Sequence, residues 1–163
     1  MFERYTEDAR KSIFFARYQA SVFGSTEITT EELLLGILQA DKTTPWKLSM
    51  GEVSEIQKEL EEGMRPRERI ATSVDLPLSM GSKRVLEYAA EEAERLNHKH
   101  IEPLHLVLGL LRVEDSIASN ILRKHGMECD PFREYVRRSL LPPAQRERGL
   151  EGPGLDDDAS AAE

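Results

Sequence analysis

Glu32-Leu33-Leu34-Leu35-Gly36-Ile37-Leu38 is written again as His105-Leu106-Val107-Leu108-Gly109-Leu110-Leu111, 73 residues further along the chain. At the same offset Ile13 falls on Leu86, Ala16 on Ala89, Ala20 on Ala93, Phe23 on Leu96 and Ile28 on Ile101. The register therefore holds over roughly thirty residues without a gap, the mark of a duplicated unit. A repeat of this size gains by stacking its apolar face on its copy, and the leucine-rich segments are the natural centre of that packing.

Working outward, the periodicity is helical throughout. Thr6 before Glu7-Asp8 is a hydroxyl followed by acids, the pattern of a helix start, and Gly24 closes a helix that runs to about Phe23. Ala9, Ile13, Ala16, Ala20 and Phe23 form one inward stripe on it. A second helix opens at Thr29-Thr30, with Glu32 closing a capping box on Thr29, and ends near Ala40. Pro45 then forbids a regular helix through Thr43-Thr44, so this copy has lost about a turn relative to the other, and Trp46 is expected to fill the space. Glu52 to Glu62 predicts a short helix with Val53, Ile56 and Leu60 inward, stopped at Gly63. In the second copy Ser79 caps a helix reaching Leu96, Pro103 opens the next, Asp115 to Lys124 supplies another with Ile117, Ile121 and Leu122 inward, and Asp130-Pro131 opens the last.

Composition bounds the class. The 163 residues suffice for one ordinary core and carry a formal charge of −8. From Pro142 onward two Arg face six acids, net −4, which leaves −4 on the remainder, so no basic field attracts nucleic acid or an anionic membrane. The N-terminus has charges where a signal peptide needs an apolar core, no run approaches ~18 apolar residues, and the single Cys129 cannot pair internally. A cytoplasmic protein is expected.

One surface breaks the repeat. Phe14, Phe15, Tyr18 and Val22 gather on the side of the first helix away from its alanines, where the second copy has Glu87, Tyr88, Glu91 and Arg95. Either a loop or the tail covers these groups, or a partner or second copy of the chain does, or they stay exposed without cover. Met64 to Leu78, with Pro66 and Pro77 around Arg65, Arg67 and Arg69, reads as a linker whose arginines are solvated. After Leu141 the Pro, Gly and Asp-rich residues leave little to bury, and a disordered tail is expected.

Phe2-Glu3-Arg4-Tyr5-Thr6-Glu7-Asp8-Ala9, followed by Ile28-Thr29-Thr30-Glu31-Glu32-Leu33-Leu34-Leu35-Gly36-Ile37-Leu38, resembles the opening of the Clp amino-terminal repeat domain, whose signature reads roughly F-x-R-[FY]-T-x-x-A and then I-G-T-E-H-[IL]-L-L-G-L. The likeness covers residues 2 to about 141. It implies an all-α fold of two tandem four-helix repeats related by a pseudo-twofold axis, eight helices in one compact domain, with repeat 1 at 1–63, a linker at 64–78, repeat 2 at 79–141 and the acidic tail at 142–163. It also implies a receiving module for protein substrates or adaptors of Clp unfoldases. No G-x-x-x-x-G-K-[ST] occurs in the chain, so no nucleotide loop and no enzyme activity or cofactor is expected.

The resemblance further implies a pocket for phosphorylated arginine in each repeat, a threonine and helix N–H groups taking the phosphate and a carboxylate taking the guanidinium. Carried over by position, Thr6 and Glu31 meet the pattern in the first copy, while the second has Ser79 and the apolar Leu104. One pocket at most is expected; otherwise Thr6 is a cap and Glu31 a first-turn acid. His98, His100 and His105 have no acid or thiol at metal-ligand spacing, His125 and Cys129 are separated by Gly126, and Glu91-Glu92 with Glu94 read as a solvated face. The expectation is a non-catalytic accessory or adaptor factor that binds protein substrates, adaptors, a Clp ATPase or its peptidase. The alternative is a self-associating structural protein with Phe14, Phe15, Tyr18 and Val22 as its homodimer seam.

Overall fold

The computed structural model describes residues 2–40, 50–65 and 67–140. Among them lie seven helices: α1 Glu7–Phe23, α2 Thr30–Ala40, α3 Met50–Gly63, α4 Met80–Arg95, α5 Pro103–Arg112, α6 Ile117–Lys124 and α7 Cys129–Ser139. No strand forms among the described residues, and extended pairing is limited to two isolated bridges, Tyr5 with Ile101 and Ile28 with Leu78. The all-α class holds. Of the eight expected helices seven are described; the stretch 41–49, including Trp46, and the tail from 141 lie outside the described residues. The chain divides into two units, Met1–Phe132 and Arg133–Glu163.

Helix ends follow the local chemistry. The Thr6 hydroxyl accepts from Ala9 N–H at 3.2 Å, and Gly24 ends α1 in the left-handed region at φ 72°. Thr29 N–H donates to Glu32 Oε1 at 2.9 Å and Glu32 N–H to Thr29 Oγ1 at 3.4 Å, the reciprocal box that opens α2. Ser79 accepts from Ser82 N–H at 3.1 Å, and Pro103 is the first residue of α5. Three starts differ from expectation. Ser116, accepting from Ser119 N–H, caps α6, so Asp115 stays outside it; α3 opens at Met50 and α7 at Cys129. Ile117, expected inward, is exposed because Ala118, Ile121 and Leu122 take the buried face of α6. Val53 is only half-buried, while Ile56 and Leu60 are fully so.

α2 lies on α1 and α5 on α4, and α2 meets α5 between them. Leu33, Leu34, Ile37, Leu106, Leu108 and Leu110 fill this centre and are fully buried. The helices approach backbone to backbone. A Cβ on Gly36 would lie 2.3 Å from the Ser12 carbonyl oxygen, and one on Gly109 2.3 Å from that of Val85. Such contact selects small neighbours, so Ala9, Ser12, Ala16, Ala20 and Ser21 are buried along α1 while the expected Ile13 and Phe23 are left half-buried at its margins.

Two backbone joints tie the halves together. Thr6 N–H donates to Ile101 O at 3.0 Å and Ile101 N–H to Arg4 O at 2.9 Å; Ser79 N–H donates to Ile28 O at 3.0 Å and Ile28 N–H to Pro77 O at 2.8 Å. Residues 4, 6 and 28 become 77, 79 and 101 when 73 is added. Each half therefore offers the other the same pair of bonds, which brings the start of α1 beside the start of α5 and the start of α4 beside that of α2.

Candidate functional site

The joints decide where the two expected pocket residues sit. Thr6 is held against Ile101, whereas Glu31 is the second residue of α2, where a Cβ on Gly81 of α4 would come within 3.3 Å of the neighbouring Thr30 methyl. The Glu31 carboxylate accepts from the Thr30 hydroxyl at 3.1 Å. It borders a cleft of about 340 Å³ with Ser25, Thr29, Arg65 and Arg67 in its wall, and Thr6 is not part of that wall. The joint just ahead of α2, Ile28 with Ser79, sets the Ser79 start of α4 beside the start of α2.

Beside the other joint is a groove of about 420 Å³ with Tyr5, Leu78, Leu86 and Ile101 in its floor and Arg4, Lys83 and Glu87 at its edge. Burial pushes the Tyr5 phenol up to about 12, so it stays an uncharged donor at any physiological pH.

The apolar strip on α1 is partly covered by the linker. Arg67 N–H donates to Phe23 O at 2.9 Å, Ile70 N–H to Ser21 O at 3.0 Å, and Arg17 Nη2 reaches the carbonyls of Thr72 at 3.3 Å and Val74 at 2.9 Å. Phe15 and Val22 are half-buried, but Phe14 remains 62% and Tyr18 40% exposed. Phe14 meets Phe15 edge-on at 5.6 Å, and Arg69 stands 5.9 Å above the Tyr18 ring. Beneath them Arg17 Nε and Ser21 Oγ are buried with no hydrogen-bond partner among the described residues. A buried donor left so costs about 1–3 kcal/mol.

Sequence reasoning missed a buried polar network. His98 Nδ1 lies 2.8 Å from His105 Nε2, and Glu102 N–H donates to His105 Nδ1 at 2.9 Å. Burial, then the nearby His98, lowers the His105 pKa to about 4. Its ring is neutral, with the Nε2 proton given to His98. The repeat held the clue, because Ser25 and Glu32 map onto His98 and His105, and Ser25 donates its hydroxyl to Glu32. Glu92, expected on a solvated face, is instead fully buried and paired with Arg112 at 3.2 Å, while Glu91 takes the same guanidinium at 3.0 Å. Arg112, which also stacks 4.0 Å over Tyr88, supplies the counter-charge that lets the acid turn inward. Among the described residues no three His, Cys, Asp or Glu side chains gather as a metal site, and no helix is long and apolar enough to cross a membrane.

The model of the Clp repeat N-terminal domain matches residues 77–159, just over half of the chain. The chain belongs to the Clp repeat N-terminal domain family. This Clp N-terminal domain is 35% identical over 143 residues to the chloroplastic chaperone protein ClpC2 of Oryza sativa, covering 86% of this chain and 16% of that protein. It is 36% identical, over the same length, to chloroplastic ClpC1 of Arabidopsis thaliana, covering 15% of that protein. The chain thus spans about a sixth of the length of these relatives. In structure it resembles the N-terminal domain of the caseinolytic protease associated chaperone ClpD of Arabidopsis thaliana, with TM-score 0.66 and 26% identity over 86% of this chain and 97% of that one. The Hsp104 N-terminal domain of Candida albicans shares the fold, with TM-score 0.62 at 18% identity over 81% of this chain and 88% of that one.

Proposed function

We propose that this Clp N-terminal domain is a non-catalytic protein-binding module, an accessory or adaptor factor that recognises protein substrates, adaptors or the Clp machinery in the cytoplasm. The observation that carries the reading is the groove beside Tyr5 and Ile101, whose apolar floor and charged edge suit an extended peptide. The reciprocal backbone joints and the matched glycines support two tandem repeats, 1–63 and 79–141, related by an approximate dyad. Photo-crosslinking from a benzophenone side chain at position 83 tests it. Clp components or Clp protease substrates are the expected adducts, and their absence from extracts of the native cell removes the reading.

A phosphoarginine-type pocket in the first repeat belongs to the same proposal, with Glu31 receiving the guanidinium and Thr6 the phosphate. The packing of the α4 start against Thr30 favours Ser79 as the hydroxyl partner of Glu31. Calorimetry with phosphoarginine on wild type, Glu31→Ala, Thr6→Ala and Ser79→Ala separates these roles; no heat in the wild type leaves all three as capping residues. The exposure of Phe14 and Tyr18 favours a second reading, a homodimer seam formed with Phe15 and Val22. A concentration-independent monomer in analytical ultracentrifugation excludes it.

A further inference from the structure

Two buried serines on α1 behave differently. Ser12 donates its hydroxyl to the Asp8 carbonyl at 3.0 Å, the usual way for a helical serine to satisfy itself. Ser21 is as deeply buried, yet its Oγ has no partner among the described residues. One turn earlier Arg17 spends Nη2 on the linker carbonyls of Thr72 and Val74, while its Nε is buried without an acceptor. Both residues line the same cavity of about 50 Å³, completed by Phe14, Tyr18 and Thr72.

What fits there follows from the donors. Arg17 offers only N–H donors on a cationic guanidinium and Ser21 offers its hydroxyl, so the guest must be an oxygen acceptor and gains by being anionic. The volume admits one small group, roughly a water or one arm of a carboxylate. Phe14, Arg17 and Ser21 recur at helical spacing on one face and Arg69 stands over Tyr18, so Arg17 and Arg69 put positive charge at this corner of a chain of net charge −8. Asp75 is fully exposed and lies 4.0 Å from Nη2, not from the buried Nε.

We infer that this cavity anchors an acidic peptide: one carboxylate oxygen of an Asp or Glu side chain accepts from Arg17 Nε and Ser21 Oγ, and the adjoining apolar side chain packs over Phe14 and Tyr18. The inference rests on the proposed protein-binding role, gives it a second surface on α1 apart from the Tyr5 groove, and names the chemistry of the partner there. Nitrogen-edited NMR of the full chain tests it with a blocked pentapeptide, acetyl-Ala-Leu-Asp-Leu-Ala-amide, and its Asn counterpart. The Asp peptide is expected to shift the Arg17 Nε–H resonance and to bind at least tenfold more tightly than the Asn peptide. Ser21→Ala, which removes one oxygen, and Arg17→Lys, which keeps the charge without the Nε donor, should each weaken the Asp peptide at least fivefold and leave the Asn peptide unchanged. Ser21→Ala keeps the test decisive if Arg17→Lys loosens the linker. Equal binding of the two peptides, unaltered binding by Ser21→Ala, or an unmoved Nε–H signal at millimolar peptide overturns the anchor and leaves a water site. If Phe14→Ser then abolishes binding of both peptides, the protein-binding face survives without the anchor.

Discussion

Glu32 and His105 stand 73 residues apart and close the same capping box with different chemistry. Each accepts the backbone N–H three residues before it, from Thr29 and Glu102, and each turns its second polar atom to a group seven residues before it, Ser25 or His98. The carboxylate accepts at both ends, whereas the neutral imidazole accepts at one and donates at the other. Their partners changed accordingly, from a hydroxyl that donates to a ring nitrogen that accepts.

The pH dependence of stability follows for His105. Its pKa is about 4 in the fold against 6.5 in the unfolded chain, so between these values the unfolded state binds the extra proton. Stability is full above pH 6.5 and falls as pH drops toward 4, by ~3 kcal/mol in all. Urea unfolding at pH 7, 5.5 and 4 should show this slope, and His105→Gln, which keeps an acceptor for Glu102 N–H, should remove much of it.

Glu32 acts with the opposite sign. Burial raises its pKa despite the bonds from Ser25 and Thr29, so its contribution is present below the unfolded value of 4.5 and declines as pH rises above it. Glu32→Gln should therefore match or exceed the wild type at pH 7. Glu32→Ala, which strands Thr29 N–H, should lose about 1–3 kcal/mol in chemical denaturation.

Gly36 and Gly109 permit the contact of α2 with α1 and of α5 with α4. A methyl at either would strike a backbone oxygen that neither helix can withdraw alone. Gly36→Ala and Gly109→Ala should each cost about 1–3 kcal/mol by overpacking, although alanine is the better helix former. Thermal melts that rise in either variant would show that the helices separate freely.

Arg112 is the counter-charge of a fully buried acid. Arg112→Met leaves Glu92 to the more distant Arg95, at 3.6 Å, and should cost about 3 kcal/mol, while Glu92→Leu with Arg112→Met should recover most of the loss. Equilibrium unfolding of the two variants gives the comparison.

Phe14 and Tyr18 contribute little to folding because both remain open to water. Phe14→Ser and Tyr18→Glu should hold stability within about 0.5 kcal/mol while abolishing whatever association the strip supports, read by sedimentation and by crosslinking.

These caps were legible because they act within one or two turns: Thr6, the Thr29–Glu32 box, Ser79 and Pro103 hold the positions their local order predicts. The duplicated leucine segment also announced its own partner, since two copies of an apolar face have each other to bury against. The burial of Glu92 and the meeting of His98 with His105 were not legible, because each depends on a partner that arrives through packing or a loop. Thr6 and Glu31 belong to one repeat of the sequence, but Thr6 bonds to Ile101 while Ile28, just ahead of α2, bonds to Ser79, because each half bonds to the other. By itself the amino-acid order determined an all-helical chain and its family. Only tertiary packing decided which side chains share a cleft, because that depends on how two helix pairs cross, a relation that no spacing within one helix encodes.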